Sequence, residues 1–300
     1  MTWQASLALD YSLRAGKTVA HFEHTGPLRI LRSLYPEAEG ICHNVIVHPP
    51  GGLVGGDTLD LQFQVAGGAH GLVTTPGATR FYRSEGVLAL QRTRLAVAAE
   101  ARLEWLPLEA IAYSGCQAEN RLTMTLAPGA ELIGWDVTAL GLPAAGQLFA
   151  GRKPTQETSQ AAAGQEIGPA RGQRAGQFAQ HLEVPGVWLE RARIHAGDTL
   201  LLNSPLGLNG HHCFASMFFV TGSALGRARR NLALEAARAV IDTHRLKATA
   251  GATSPDGRVV VVRALAPMVE PVLDLFKQVR LAWRAQLWQL PPVSPRIWAV

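Results

Sequence analysis

The sequence predicts a mainly β protein: a large coiled, solenoid-like sheet body with two C-terminal α-helices. Three observations carry this expectation. From about residue 3 to 220, short segments alternate polar and apolar residues between Gly, Pro and Asn, which is the period and punctuation of strands and turns. A small-residue motif recurs as Gly68-Ala69-His70, Glu100-Ala101-Arg102 and Gly129-Ala130-Glu131, at spacings of 32 and 29 residues, and each copy opens a strand. A near-constant period of that size marks stacked β-units. Apolar residues at helical spacing fill two long stretches after residue 222.

Taken in order, the alternation predicts strands at 28–34, 44–48, 58–65, 72–75, 88–96, 102–106, 121–126, 131–137, 180–184, 187–194 and 199–203. The first two copies of the motif are each followed by a strand and a proline turn, Thr75-Pro76-Gly77 and Leu106-Pro107-Leu108. A looser fourth copy, Ala196-Gly197-Asp198-Thr199-Leu200, would open the last strand. Residues 152–177 are rich in Gln, Ala, Gly and Thr and read as a long surface loop, too poor in large apolar side chains to order itself. A helix over 223–246 would bury Leu225, Ala228, Leu232, Ala236, Ala239 and Val240. A second over 267–290 would bury Met268, Val272, Leu275, Phe276, Val279, Trp283 and Leu287, until Pro291-Pro292 stops it. The expectation is one domain over 1–300, β-rich to 222 and helical from 223.

Only 17% of residues are charged, below the quarter usual for soluble domains, which suggests a surface partly covered by another protein. The formal net charge of +5 is mostly scattered arginine, which fits an acidic protein partner better than nucleic acid. Three widely spaced cysteines, Cys42, Cys116 and Cys213, form no zinc pattern and fit a reducing compartment. The N-terminal residues lack the features of a signal peptide, and no apolar run is long enough to span a membrane, so a cytoplasmic protein is expected.

Two segments stand out chemically. His48-Pro49-Pro50-Gly51-Gly52-Leu53-Val54-Gly55-Gly56-Asp57 has the glycine density of a phosphate loop but ends in Gly-Asp, where such a loop needs Gly-Lys-Ser/Thr. The strand pattern that follows makes it a turn whose glycines serve the backbone. Thr74-Thr75-Pro76-Gly77-Ala78-Thr79-Arg80-Phe81-Tyr82-Arg83-Ser84 comes next. No G-x-S-x-G elbow accompanies Ser84 or Ser114, which argues against a hydrolase. Cys42-His43 with His48, the pair His21 and His24, and His211-His212-Cys213 are possible metal contacts. Alternation on a strand would point His211 and Cys213 away from His212.

Together with Trp105-Leu106-Pro107-Leu108-Glu109-Ala110-Ile111, Ser204-Pro205-Leu206-Gly207-Leu208-Asn209-Gly210 and Pro295-Arg296-Ile297-Trp298-Ala299, these segments resemble the UreD (UreH) family of urease accessory proteins over essentially the whole chain. The resemblance implies a non-enzymatic scaffold and nickel metallochaperone. It would dock on apo-urease and recruit UreF, and through it the GTPase UreG, in a heteromeric complex that would dimerise through UreF. Where the family pattern has Gly-Glu-x-Phe, this chain has Gly146-Gln147-Leu148-Phe149, which keeps the shape and drops the charge.

Asp57, Asp60, Glu109 and Asp136 lie in or beside the matching, charge-poor segments. One reading makes them turn caps and salt bridges, with Arg80 and Arg83 as partners. The other, which the resemblance suggests, is an oxygen-lined path for transient Ni²⁺ and no tightly bound cofactor, since carboxylates hold nickel less firmly than thiolate or imidazole. Gly51, Gly52, Gly55, Gly56, Arg80, Tyr82, Arg83 and Ser84 form the surrounding motif. A purely structural adaptor without a metal path, or a small-molecule site at Asp57 and Arg80, are the alternatives. The Trp- and Leu-rich last helix is expected as a partner surface.

Overall fold

A computed structural model of the chain describes residues 2–150 and 175–299. The chain opens with the hairpin β1 (Gln4–Arg14) and β2 (Lys17–His24), followed by β3 (Arg29–Leu34) and β4 (Ile41–Val47). It then winds as a coil through β5 (Gly52–Leu53), β6 (Thr58–Val65), β7 (His70–Thr74), β8 (Thr79–Phe81), β9 (Ala89–Val97), β10 (Arg102–Leu106), β11 (Ala110–Ala112), β12 (Gln117–Leu126) and β13 (Glu131–Leu142). β6, β9 and β12 stack in parallel as one side of the coil. β4, β7, β10 and β13 form the second side. The short strands β5, β8 and β11, with the end of β13, form the third.

The recurring sequence motif is the corner of this coil. His70, Arg102 and Glu131 sit in direct register, and the fully buried Ala69, Ala101 and Ala130 precede them. The Arg102 N–H donates to Ala69 O at 2.9 Å and the Glu131 N–H to Ala101 O at 3.0 Å, so each corner hydrogen-bonds to the next. A methyl side chain lets successive coils approach at these corners.

After β14 (Gln147–Leu148), β15 (Gln177–Val184) and β16 (Trp188–His195) extend the first sheet to seven strands, in the order β16-β15-β12-β9-β6-β1-β2. Next come α1 (Thr199–Asn203), β17 (Cys213–Thr221), α2 (Arg227–Thr243), β18 (Ala250–Asp256), β19 (Val259–Ala266) and α3 (Glu270–Trp288). β17, β19 and β18 continue the second sheet antiparallel from β13. One core fills the space between the sheets and another lies between the second sheet and helices α2 and α3. The second sheet is thus covered on both faces, and every residue of β13 except the last is buried.

Four expectations are corrected. Residues 199–203 are helix α1, because the Asp198 carboxylate accepts the Leu201 N–H at 2.9 Å and caps a helical turn. The C-terminal part is not purely helical, since the β18–β19 hairpin separates α2 from α3 and joins the sheet. The buried stripe of α2 is Ala233, Ala237 and Ile241, while Leu232 is exposed. α3 buries the expected Val272, Leu275, Phe276, Val279, Trp283 and Leu287, but Met268 lies before its start and is exposed, and the helix presents no Trp/Leu-rich surface, since Trp283 and Trp288 are both in the core. Most of the 152–177 segment lies outside the described residues.

α3 is fastened by buried ion pairs. Arg280 Nε lies 2.6 Å from Glu104 Oε2 on β10, and Arg284 bridges Glu104 and Glu37. His43 Nε2 sits 2.9 Å from Glu37 Oε1 and His70 Nε2 3.3 Å from Glu104 Oε1. Arg280, Arg284 and Glu104 are all 0% exposed, so removing one partner leaves an uncompensated buried charge. Glu104→Gln or Arg284→Met is expected to lower unfolding free energy by about 3–5 kcal/mol in urea titrations. Burial alone would raise the Glu104 pKa, but Arg280, His70 and Arg284 overcome it and hold the carboxyl well below the usual carboxylate range. Its contribution is therefore complete above the unfolded value of about 4.3 and is lost as pH falls below it. Glu104→Gln should flatten that acid limb of the stability curve.

Candidate functional site

The glycine-rich turn is packed, not open. A Cβ at Gly52 would strike the Tyr82 ring and lie 2.8 Å from Arg80 O, and one at Gly55 would strike Ser84 Oγ. The Arg80–Ser84 run is the strap that closes it. β8 pairs with both β5 and β11, the Tyr82 and Tyr113 rings pack tilted by 42° with centroids 5.1 Å apart, Arg83 bridges to Cys116, and Ser84 Oγ donates to Val87 O at 2.5 Å. Asp57, 2% exposed, accepts the Trp3 N–H at 2.7 Å and the Val54 N–H at 2.8 Å. It is the turn's cap.

The four carboxylates do not converge. Asp60 lies on the outer face of β6, 2.6 Å from Arg94 and 3.9 Å from Arg92. Glu109 lines a cavity of about 200 Å³ with Cys213 and Glu270, and burial together with Glu270 raises its pKa. Neither Arg80 nor Arg83 makes an ion pair with a carboxylate among the described residues. Arg80 lies within electrostatic reach of Glu109. Gln147, where the family pattern has glutamate, is exposed on β14.

Asp136 points between the sheets. Asn120 Nδ2 donates to it at 2.7 Å, Gln180 Nε2 at 2.5 Å and the Thr138 hydroxyl at 3.4 Å. Gln91 Nε2 in turn donates to Asn120 Oδ1 at 3.2 Å. Gln91, Asn120 and Gln180 stand in direct register on β9, β12 and β15, all on inward-facing positions. Beside them is a cavity of about 20 Å³ lined by Thr93, Gln91, Asn120 and Asp136, enough for one water. The Thr93 hydroxyl is buried there without a hydrogen-bond partner among the described residues. This cavity shares Thr79, Gln91, Trp105 and Pro107 with a larger one of about 150 Å³ that reaches His48, Gly51 and Arg80. His48 Nε2 is likewise buried without a partner. The two cavities adjoin, and together they form a lane, mainly apolar near the glycine-rich turn and polar at its inner end, that leads toward Asp136.

Sequence reasoning singled out Asp136 but missed Gln91, Thr93, Asn120 and Gln180. Their signal was a polar residue at each inward phase of an otherwise apolar strand. The histidine and cysteine groups do not assemble: no cluster of three or more His, Cys, Asp or Glu suited to a metal occurs among the described residues. Cys42, Cys116 and Cys213 are free and buried.

Two stability predictions separate the acids. Asp57→Ala removes two backbone caps and should cost about 1–2 kcal/mol. Burial pushes the Asp136 carboxyl up to about 6, against the hydrogen bonds from Gln180, Thr138 and Asn120, with Glu190 adding to the rise. The folded chain therefore holds this proton through a range where the unfolded chain has lost it, so Asp136 destabilises the fold increasingly as pH rises from about 4 to 6. In thermal melts across that range, Asp136→Asn should gain on wild type by up to about 3 kcal/mol, then hold a constant offset.

A family model described as UreD urease accessory protein matches residues 4–299. Similar relatives named urease accessory protein UreD include that of Polaromonas sp. (strain JS666), 66% identical over 300 residues and covering all of both chains. Those of Paracidovorax citrulli, 62% identical over all of both chains, and Leptothrix cholodnii, 48% identical over 99% of both, carry the same name. All three are named for an accessory role and not for a reaction of their own. The match along nearly its full length makes this chain a member of the UreD family of urease accessory proteins.

Proposed function

We propose that this protein serves urease maturation as a scaffold and metallochaperone, passing Ni²⁺ along the lane that ends at Asp136 toward apo-urease. The observation that carries the reading is Asp136 itself. A carboxylate 6% exposed, held only by neutral donors and with no cation within 4.0 Å among the described residues, is a costly group to keep. A passing cation would compensate it. With one carboxylate and amide or hydroxyl oxygens nearby, the lane offers the weak oxygen ligation suited to transfer rather than storage.

UreF and the GTPase UreG act beside it in this proposal, with GTP hydrolysis belonging to UreG, in a cytoplasmic heteromeric complex. The free, buried cysteines support a reducing compartment. No helix among the described residues is long and apolar enough to cross a membrane.

The test is urease activation in a mixture of apo-urease, UreF, UreG, GTP and limiting nickel. Asp136→Asn is expected to bind its partners like wild type, remain at least as stable near neutral pH, and lose activation by an order of magnitude or more. Normal activation by Asp136→Asn would instead support a structural adaptor without a metal path.

A further inference from the structure

The outer face of the first sheet carries an arrangement that folding alone disfavours. α2 and α3 pack against the second sheet, and neither covers this face. On it, Arg92 of β9, Arg121 of β12, His181 of β15 and Arg191 of β16 stand in one direct cross-strand register. Adjacent strands are about 4.8 Å apart, and like charges placed directly opposite one another destabilise a sheet. Arg94 and Arg193 flank the row on the same face.

Carboxylates only partly compensate. Asp60 pairs with Arg94 at 2.6 Å, Glu119 with Arg121 at 2.6 Å and Glu183 with His181 at 3.1 Å. Arg191 and Arg193 are exposed and make no ion pair among the described residues. They occupy β16, the last strand of the sheet, so the uncompensated charge is concentrated at its open edge.

We infer that this face is a docking surface for an acidic protein. Guanidinium groups projecting from a rigid sheet suit bidentate recognition of carboxylates. The interleaved Asp60, Glu119 and Glu183 would repel a continuous phosphate backbone but fit a protein surface of mixed, mainly negative charge. The inference is independent of the lane at Asp136, which opens on the opposite side of the same strands.

The experiment uses the full-length chain and immobilised poly-L-glutamate, with a DNA duplex of about 20 base pairs for comparison. Wild type should bind polyglutamate at low salt, with affinity falling steeply as salt rises. The double variant Arg191→Gln/Arg193→Gln should bind about tenfold more weakly with a shallower salt dependence, and melt within a few degrees of wild type. Arg191→Lys/Arg193→Lys should restore most of the binding. Neutralising Arg227 and Arg230 on α2 should change little. Equal loss from the α2 pair would reduce the effect to net charge and overturn the inference. Unchanged binding by the β16 variant, or tighter binding of wild type to DNA than to polyglutamate, would overturn it as well.

Discussion

The cross-strand register of the coil is the constraint on which the rest of the molecule depends. Side chains alternate faces along each strand, so β9, β12 and β15 each offer one row inward and the next row outward. Gln91, Asn120 and Gln180 share the inward row, and Arg92, Arg121 and His181 share the outward row one residue along. A slip of one residue would send Arg92, Arg121 or His181 into the core and a lane residue into solvent. The register is held by inward apolar residues such as Leu95, Leu122 and Phe178 and by the hydrogen-bonded alanine corners. Interior chemistry and exterior charge are therefore two readouts of one alignment.

The second sheet shows how the same chain solves one problem in two ways. Glu104 and Asp136 are both carboxylates on central strands, and both are buried. Glu104 faces the helices and meets two arginines, so it stays ionised and ties α3 to the coil. Asp136 faces the coil interior and meets only amides and a hydroxyl, so its charge is merely tolerated. Under the proposed function the contrast has a use, because a site meant to accept and release a cation would have to lack a resident one.

Much of this was legible in the sequence, for physical reasons. β6 and β10 fall at their expected bounds because both alternate cleanly between hard turns. The repeat was visible because every corner needs a small buried residue at the same phase. The short run at 199–203 was misassigned because its leucines outweighed the cap at Asp198. The β18–β19 hairpin was missed because Ser254-Pro255 breaks the alternation near the end of β18, where the register shifts, and the continuous Val259–Val262 run masks it in β19. Glu104, Arg280 and Arg284 drew no notice in the sequence, since nothing local reveals a partner so far along the chain. Asp57 was recognisable as part of a motif, but its two backbone partners were not.

Glu104 and Arg280 are 176 residues apart, and Arg284 lies four further on. During synthesis the coil containing Glu104, β4 to β13, can be complete while both of its counter-ions are still missing. Until α3 emerges, the outer face of that sheet carries an anion with His70 beside it but neither arginine, and apolar strands with no roof. The ribosome must deliver almost the entire chain before either is satisfied. The newborn protein therefore stays longest without its finished second core, and a chain stopped short of α3 would be left with both a buried-to-be carboxylate lacking its arginines and a sticky face.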